Sequence, residues 1–285
     1  MKEITIGILA LAGMFFCSSS ETCAGDRPDI VRVLAVGNSF SEDALDYYFH
    51  DICKAAGKEV IVGNLYIGGC TIDRHVLNAR TDSAAYRYRR IGLDGNTLTT
   101  APVRMSDALG SDDWDYVSMQ QASGVSGKYG SYANLCELVA YVDSLTPEKT
   151  KLVWHQTWAY SPTSDHVEYG NYGSNQHIMY DSIMSACSRV VADNKALSLV
   201  VPVGTAVQNA RTSSGNQDLT RDGYHLDKLI GRYIASCTWF EAIFGESVVG
   251  NTFVPEGLSP ELAREAQEAA HAACINPSQS SHQSQ

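Results

Sequence analysis

Val31-Arg-Val-Leu-Ala-Val-Gly-Asn-Ser-Phe40 is a short apolar run that stops abruptly in a Gly-Asn-Ser turn. A near-continuous apolar run of this length reads as a strand buried on both faces of a parallel sheet. In open α/β sheets the ligand crevice lies at the carboxyl ends of such strands. Ser39 is therefore expected at the floor of a crevice, opening the helix that follows. Gly37 permits the tight turn before it. Alone, Ser39 would read as a helix cap.

A second stretch changes that reading. Arg221-Asp-Gly-Tyr-His-Leu226 precedes a long amphipathic segment near the other end of the chain. Asp222 and His225 stand three residues apart at what reads as a helix entrance, close enough for the carboxylate to fix the imidazole tautomer. Together the two stretches supply a nucleophile, a carboxylate and a base in the order Ser39, Asp222, His225. That order points to a serine hydrolase. A third feature, Ile67-Gly68-Gly69, follows the second strand, where a glycine exposes a backbone N–H to an oxyanion.

Between these stretches the chain alternates strand and helix. Strands are expected at 31–36, 59–66, 116–120, 151–157 and 198–203. Helices are expected at 41–56, 105–109, 133–145, 175–194 and 225–244, with another beginning at Ser259-Pro260. Tyr86–Thr99 alternates large and polar residues around Asp94-Gly95 and reads as an inserted β-hairpin, spanning about 84–102. The pattern predicts one α/β domain over 25–275, a three-layer αβα sandwich around a five-stranded, mainly parallel sheet.

The ends read differently. Ile4–Phe16 is apolar but short for a membrane span and fits a secretory leader over residues 1–24, cleaved after Thr22-Cys-Ala24. Export to the periplasm or cell exterior is expected, and lipid attachment through Cys17 is disfavoured by the bulky Phe16. Residues 276–285 are polar and read as a disordered tail.

The chain of 285 residues carries a net charge of −11. Taking away Lys2, Glu3 and Glu21 with the leader leaves −10. Such a surface repels phosphate backbones and argues against nucleic acid as a partner. Cys53, Cys70, Cys136, Cys187, Cys237 and Cys274 form no Cys-x-x-Cys pair, which argues against a zinc ribbon or redox motif and leaves pairing open. The histidines show no metal-binding spacing, so no metal and no cofactor are expected. His75 reads as a surface residue.

Gly37-Asn-Ser-Phe40 resembles the first conserved block of the SGNH (GDSL-like) hydrolases, Asn64-x-x-x-x-Gly69 the second and Asp222-x-x-His225 the last. Gln120-Gln-Ala-Ser123, Trp154–Tyr160, Gly204–Arg211 and Leu219–Leu226 resemble a bacterial branch of unknown function within that superfamily. The resemblance spans about residues 30–245. It implies a flavodoxin-like sandwich and metal-free ester hydrolysis, commonly deacetylation of a carbohydrate. The third block, normally Gly-x-Asn-Asp, departs from the pattern, because strand three ends in Met119-Gln-Gln-Ala-Ser123. The oxyanion donors are therefore expected to be the amides of Ser39 and Gly69 with the Gln120 side chain, Gln121 and Ser123 being the alternatives. Asn38, His155, Gln156, Asn209 and Arg211 are candidates for a sugar-binding cleft, with Trp154 and Trp158 beside them, although tryptophans at the end of a buried strand read more readily as core. The expected partner is a small-molecule or glycan ester. The rival reading is a catalytically degenerate glycan-binding protein of the same fold.

Overall fold

The computed structural model describes residues 30–213 and 218–277. The leader expected at 1–24 and most of the expected tail lie outside them.

β1 (Val31–Gly37) runs through the middle of the sheet, and its side chains alternate between two apolar layers. Val33 and Ala35 pack into one core, Leu34 and Val36 into the other. That alternation is the period of two that a strand imposes. β2 (Val60–Tyr66), β5 (Tyr116–Met119), β6 (Lys151–His155) and β7 (Leu197–Val201) run parallel to β1. The full order is β4-β3-β2-β1-β5-β6-β7.

The sheet thus has seven strands, where five were expected. β3 (Tyr86–Ile91) and β4 (Thr97–Val103) are the expected hairpin, and they belong to the sheet itself, β3 pairing antiparallel to β2 and β4 antiparallel to β3. The register Val62↔Ile91 to Tyr66↔Arg87 continues the β2 backbone ladder, so the free edge moves out to β4.

The expected helix at 41–56 is two helices, α1 (Ser39–Leu45) and α2 (Phe49–Ala55), separated where the Asp46 side chain turns inward to accept from Asn64 Nδ2. α3 (Ile72–Arg80) and α7 (Val203–Ser213) were not expected. α3 begins at a Thr71 cap that accepts from Arg74 N. α7 is buried from Val203 through Arg211, its polar Thr205, Gln208, Asn209 and Arg211 included, so the usual polar-out pattern of a surface helix does not apply to it. α4 (Met105–Leu109), α5 (Leu135–Ser144), α6 (Gln176–Asp193), α8 (Ile230–Phe244) and α9 (Pro260–Ile275) fall near their expected places. α8 starts five residues late, which leaves Asp222 and His225 on a loop before it.

Strand order reverses between β1 and β5: β2 to β4 lie on one side of β1, and β5 to β7 on the other. The crevice at this switch point is where doubly wound sheets place ligands. Ser39 follows β1 and Gln120 follows β5. All six cysteines from Cys53 to Cys274 are free thiols. Among the described residues no helix is long and apolar enough to cross a membrane.

Candidate active site

The turn after β1 is built by its neighbours. A Cβ on Gly37 would fall 2.3 Å from Ser41 Oγ, so only glycine leaves room for the chain to fold back on itself. Asn38 caps α1, its Oδ1 accepting from Phe40 N at 3.0 Å. Its Nδ2 donates to the Cys70 carbonyl at 3.2 Å, which ties the nucleophile turn to the Ile67–Cys70 turn after β2. Gly69 lies in that second turn at φ +60 and is exposed. Neither the Ser39 amide nor the Gly69 amide hydrogen-bonds to another described residue.

The base arrives on a loop pinched shut at its root. Arg221 N donates to His225 O at 2.9 Å, Asp227 N to Leu219 O at 2.9 Å, and Thr220 bridges Leu226. Inside the loop Asp222 Oδ1 accepts the amides of Tyr224 and His225 at 3.3 and 2.8 Å. Its Oδ2 lies 2.7 Å from His225 Nδ1, and His225 Nε2 lies 2.8 Å from Ser39 Oγ. A carboxylate only accepts, so Nδ1 carries the proton and Nε2 is left to accept from the serine hydroxyl. Partial burial pushes the Asp222 carboxyl upward, but the bonds from His225 and Tyr224 together outweigh it and hold the group below the ordinary carboxylate range. Asp222 therefore stays ionised facing the ring.

Aromatic contacts fix the ring's position. Phe40 stacks on Trp158 with centroids 3.8 Å apart, and Trp158 Nε1 donates to Tyr224 O at 2.8 Å. One indole thus joins the nucleophile helix to the base loop. Tyr224 lies 4.1 Å from the His225 ring, His166 4.6 Å from Tyr224, and Tyr160 5.1 Å from His166. These rings form an aromatic cluster on the His225 side of the crevice, with Tyr160 buried beneath the partly exposed Tyr224 and His166.

Several expected site residues stand elsewhere or act differently. Gln120 is buried beneath the turn, where its Nε2 donates to Asn38 Oδ1 at 2.7 Å and its Oε1 meets His155 Nδ1 at 2.6 Å. Burial drives the His155 pKa down to about 3, so its neutral ring donates from Nδ1 and orients the Gln120 amide. Gln120 and His155 therefore support Asn38 from within the core. Gln121 faces the opposite layer, accepting from Ile72 N and Ala122 N and donating to Ser131. Ser123 stands beside the aromatic cluster, its Oγ 2.8 Å from Tyr160 OH.

Gln156 caps α7, with Oε1 accepting from Thr205 N at 3.0 Å, and Asn209 donates to Ala269 O in α9 at 3.2 Å. Both are fold contacts rather than cleft positions, because Asn209 stands on the buried helix α7 and Gln156 packs against its first turn. Arg211 is buried with them, its pKa lowered by burial to about 10. Trp154 packs in the core against Tyr132. His75 is fully buried and stacks on Tyr86, its Nδ1 2.9 Å from the tyrosine hydroxyl, where a surface position was expected.

Two residues that bind the base loop to α1 went unread in the sequence, Asp43 and Arg221. The available signal was a carboxylate between Phe40 and Ala44 on the apolar face of a short helix. Among the described residues no cluster of three His, Cys, Asp or Glu side chains is placed to hold a metal ion.

Comparison with known proteins places the chain in a family. No curated protein matches it. A solved DUF4886 family protein from Bacteroides uniformis is 45% identical, with a TM-score of 0.86 over 88% of this chain and 97% of that one. A protein proposed to be an SGNH hydrolase, from Slackia heliotrinireducens, is 22% identical, with a TM-score of 0.49 over 75% of this chain and 100% of that one. A variant of an acetyl-xylooligosaccharide esterase from Geobacillus stearothermophilus is 14% identical, with a TM-score of 0.49 over 76% of this chain and 95% of that one. The profile of the domain of unknown function DUF4886 matches residues 32–273, from β1 to the last turns of α9. The chain belongs to the DUF4886 family.

Proposed function

We propose that this protein is an exported serine esterase of the SGNH type that deacylates a carbohydrate ester through a covalent acyl-serine. One observation carries the reading: Ser39, His225 and Asp222 form an unbroken hydrogen-bonded line of 2.8 and 2.7 Å across the switch point of the sheet. A binding module has no use for a hydroxyl aimed at an imidazole whose tautomer is fixed by a carboxylate.

In the proposed reaction Ser39 Oγ attacks the ester carbonyl while its proton passes to His225 Nε2. Asp222 steadies the imidazolium that results. The amides of Ser39 and Gly69 take the negative charge on the carbonyl oxygen as the tetrahedral centre forms. Collapse breaks the carbonyl–alkoxy bond, and His225 returns its proton to the departing alcohol. Water, deprotonated by the same nitrogen, then releases the carboxylic acid and regenerates Ser39. Gln120 serves this centre by holding Asn38, and so the turn that presents the Ser39 amide.

The carbohydrate reading rests on the motifs shared with SGNH hydrolases and on the partly exposed Tyr224, His166 and Ser123 beside the triad. Aromatic faces and hydroxyls side by side suit a ring that is apolar on its faces and polar at its edge. The acidic surface suits a neutral ester. Export rests on the apolar leader-like residues 4–16.

The test is a fluorophosphonate probe on the full chain, followed by acetate release from an acetylated sugar. Ser39 is expected to be the labelled residue, and Ser39→Ala is expected to abolish both labelling and turnover. A parent protein that neither labels nor releases acid, yet binds glycan, would establish the degenerate binding protein instead.

A further inference from the structure

We infer that Asp43 is a positioning residue that sets the distance between His225 and Ser39; this rests on the esterase reading. Asp43 lies on α1, one turn beyond Ser39, and its side chain is completely buried. Its carboxylate makes four hydrogen-bond contacts with donors from three residues. Arg221 Nη1 lies 3.0 and 2.9 Å from the two oxygens. Arg232 Nε donates at 2.8 Å and the Leu226 amide at 3.1 Å.

The placement of those donors matters more than their number. Arg221 and Leu226 bracket Asp222–His225, and Arg221 Nη1 also donates to the Leu226 carbonyl. One carboxylate therefore grips both ends of the loop that carries the base, while its own backbone belongs to the helix that carries the nucleophile. Arg232, in the first turn of α8, fixes where the chain goes next, its guanidinium lying 3.6 Å from the Tyr47 ring centre. No covalent or sequence-local constraint does this work, since 178 residues separate Asp43 from Arg221.

Buried ion pairs of this kind add little stability over an apolar replacement, because desolvating the charges offsets their attraction. They do fix geometry. A misplacement of about 1 Å between reacting groups costs roughly 100-fold in rate. The contribution of Asp43 is thus expected in the reactivity of Ser39, acting through His225.

The experiment measures the second-order rate constant and the final extent of Ser39 labelling by a fluorophosphonate. It compares the parent, Asp43→Asn and Arg221→Gln, each alone and combined with His225→Ala. Asp43→Asn is expected to lower the rate constant about 100-fold, and Arg221→Gln about tenfold, since Arg232 and Leu226 still hold the carboxylate. Labelling of the folded protein should still go to completion. In the His225→Ala background neither substitution should change the slow residual rate, because its route of action is gone. Arg221→Gln keeps Asp43 paired and carries the test if Asp43→Asn does not fold. The inference is overturned if both single variants label at the parent's rate constant with only the extent reduced. Equal fold-losses with and without His225 overturn it too. A parent that does not label at Ser39 instead overturns the esterase reading on which it rests.

Discussion

His225 Nε2 stands 2.8 Å from Ser39 Oγ although 186 residues separate them. Two unrelated turns, one after β1 and one before α8, must agree to within a fraction of an ångström for that contact to exist. Each of the following expectations probes one part of how they agree.

Asp222→Asn tests the tautomer. An asparagine can still accept the amides of Tyr224 and His225 through one oxygen, so the loop should hold its shape. The group facing His225 Nδ1 is then an amide nitrogen, which favours the wrong tautomer. Turnover of p-nitrophenyl acetate should fall by about 10⁴-fold, with the melting temperature nearly unchanged. A loss of less than tenfold would remove Asp222 from the proposed mechanism.

Gln120 and Gln121 separate support from fold. Gln120→Ala strips Asn38 Oδ1 and His155 Nδ1 of a buried partner. Stability should drop by about 1–3 kcal/mol, and kcat should fall while KM holds. Gln121→Ala orphans Ile72 N and Ala122 N, so it should cost a similar amount in urea unfolding. Its kcat per folded molecule should match the parent. Equal kcat losses in the two variants would contradict the separation.

Glycine substitutions at the two turns should have opposite balances. Gly37→Ala drives a Cβ into Ser41 Oγ, so the variant should lose labelling together with much of its thermal stability. Gly69→Ala meets open space but strains a backbone at φ +60, costing about 1–2 kcal/mol. There the melting point should move little and kcat about 100-fold, because the amide direction changes where the oxyanion forms. Circular dichroism melts beside steady-state rates distinguish the two.

Acid stability should be governed by three buried groups. Burial lowers the His75 and His155 pKa values to about 3, so below about pH 6.5 the unfolded chain takes up protons that the folded one refuses. Each costs about 1.4 kcal/mol of stability per pH unit as pH falls through that window. Desolvation raises Asp46 to about 7, so between about pH 4 and 7 the folded chain keeps a proton that the unfolded one has lost. That term works in the opposite sense, favouring the fold as pH falls. Urea unfolding from pH 6.5 to 4.5 should therefore show a shallower acid loss in His155→Gln and a steeper one in Asp46→Asn. An unchanged slope in either variant would show that its group titrates alike in both states.

The triad residues were legible because each sits in a short local pattern, a strand ending in Gly-Asn-Ser and an Asp-x-x-His. The sheet was legible through unbroken apolar runs such as Val33–Val36, which mark a strand covered on both faces. What could not be read were the elements whose signal is tertiary. Val203–Ser213 buries its polar residues Thr205, Gln208, Asn209 and Arg211 along with its apolar ones, so the fold roles of Gln156 and Asn209 stayed hidden. Asp43 looks like an ordinary first-turn acid until the base loop folds onto it. Gln120 was read by analogy with a side-chain donor, whereas burial under Asn38 gives it a supporting position.

The direction of β1 has a practical consequence for handling the molecule. Ser39 lies beyond its carboxyl end, while Val31 begins it at the opposite rim of the sheet, about 20 Å away for a strand of this length. Whatever precedes Ile30 joins the fold at that far rim. A purification handle, a fused carrier or a solid support attached there would leave Ser39 at the rim pointing away from the attachment.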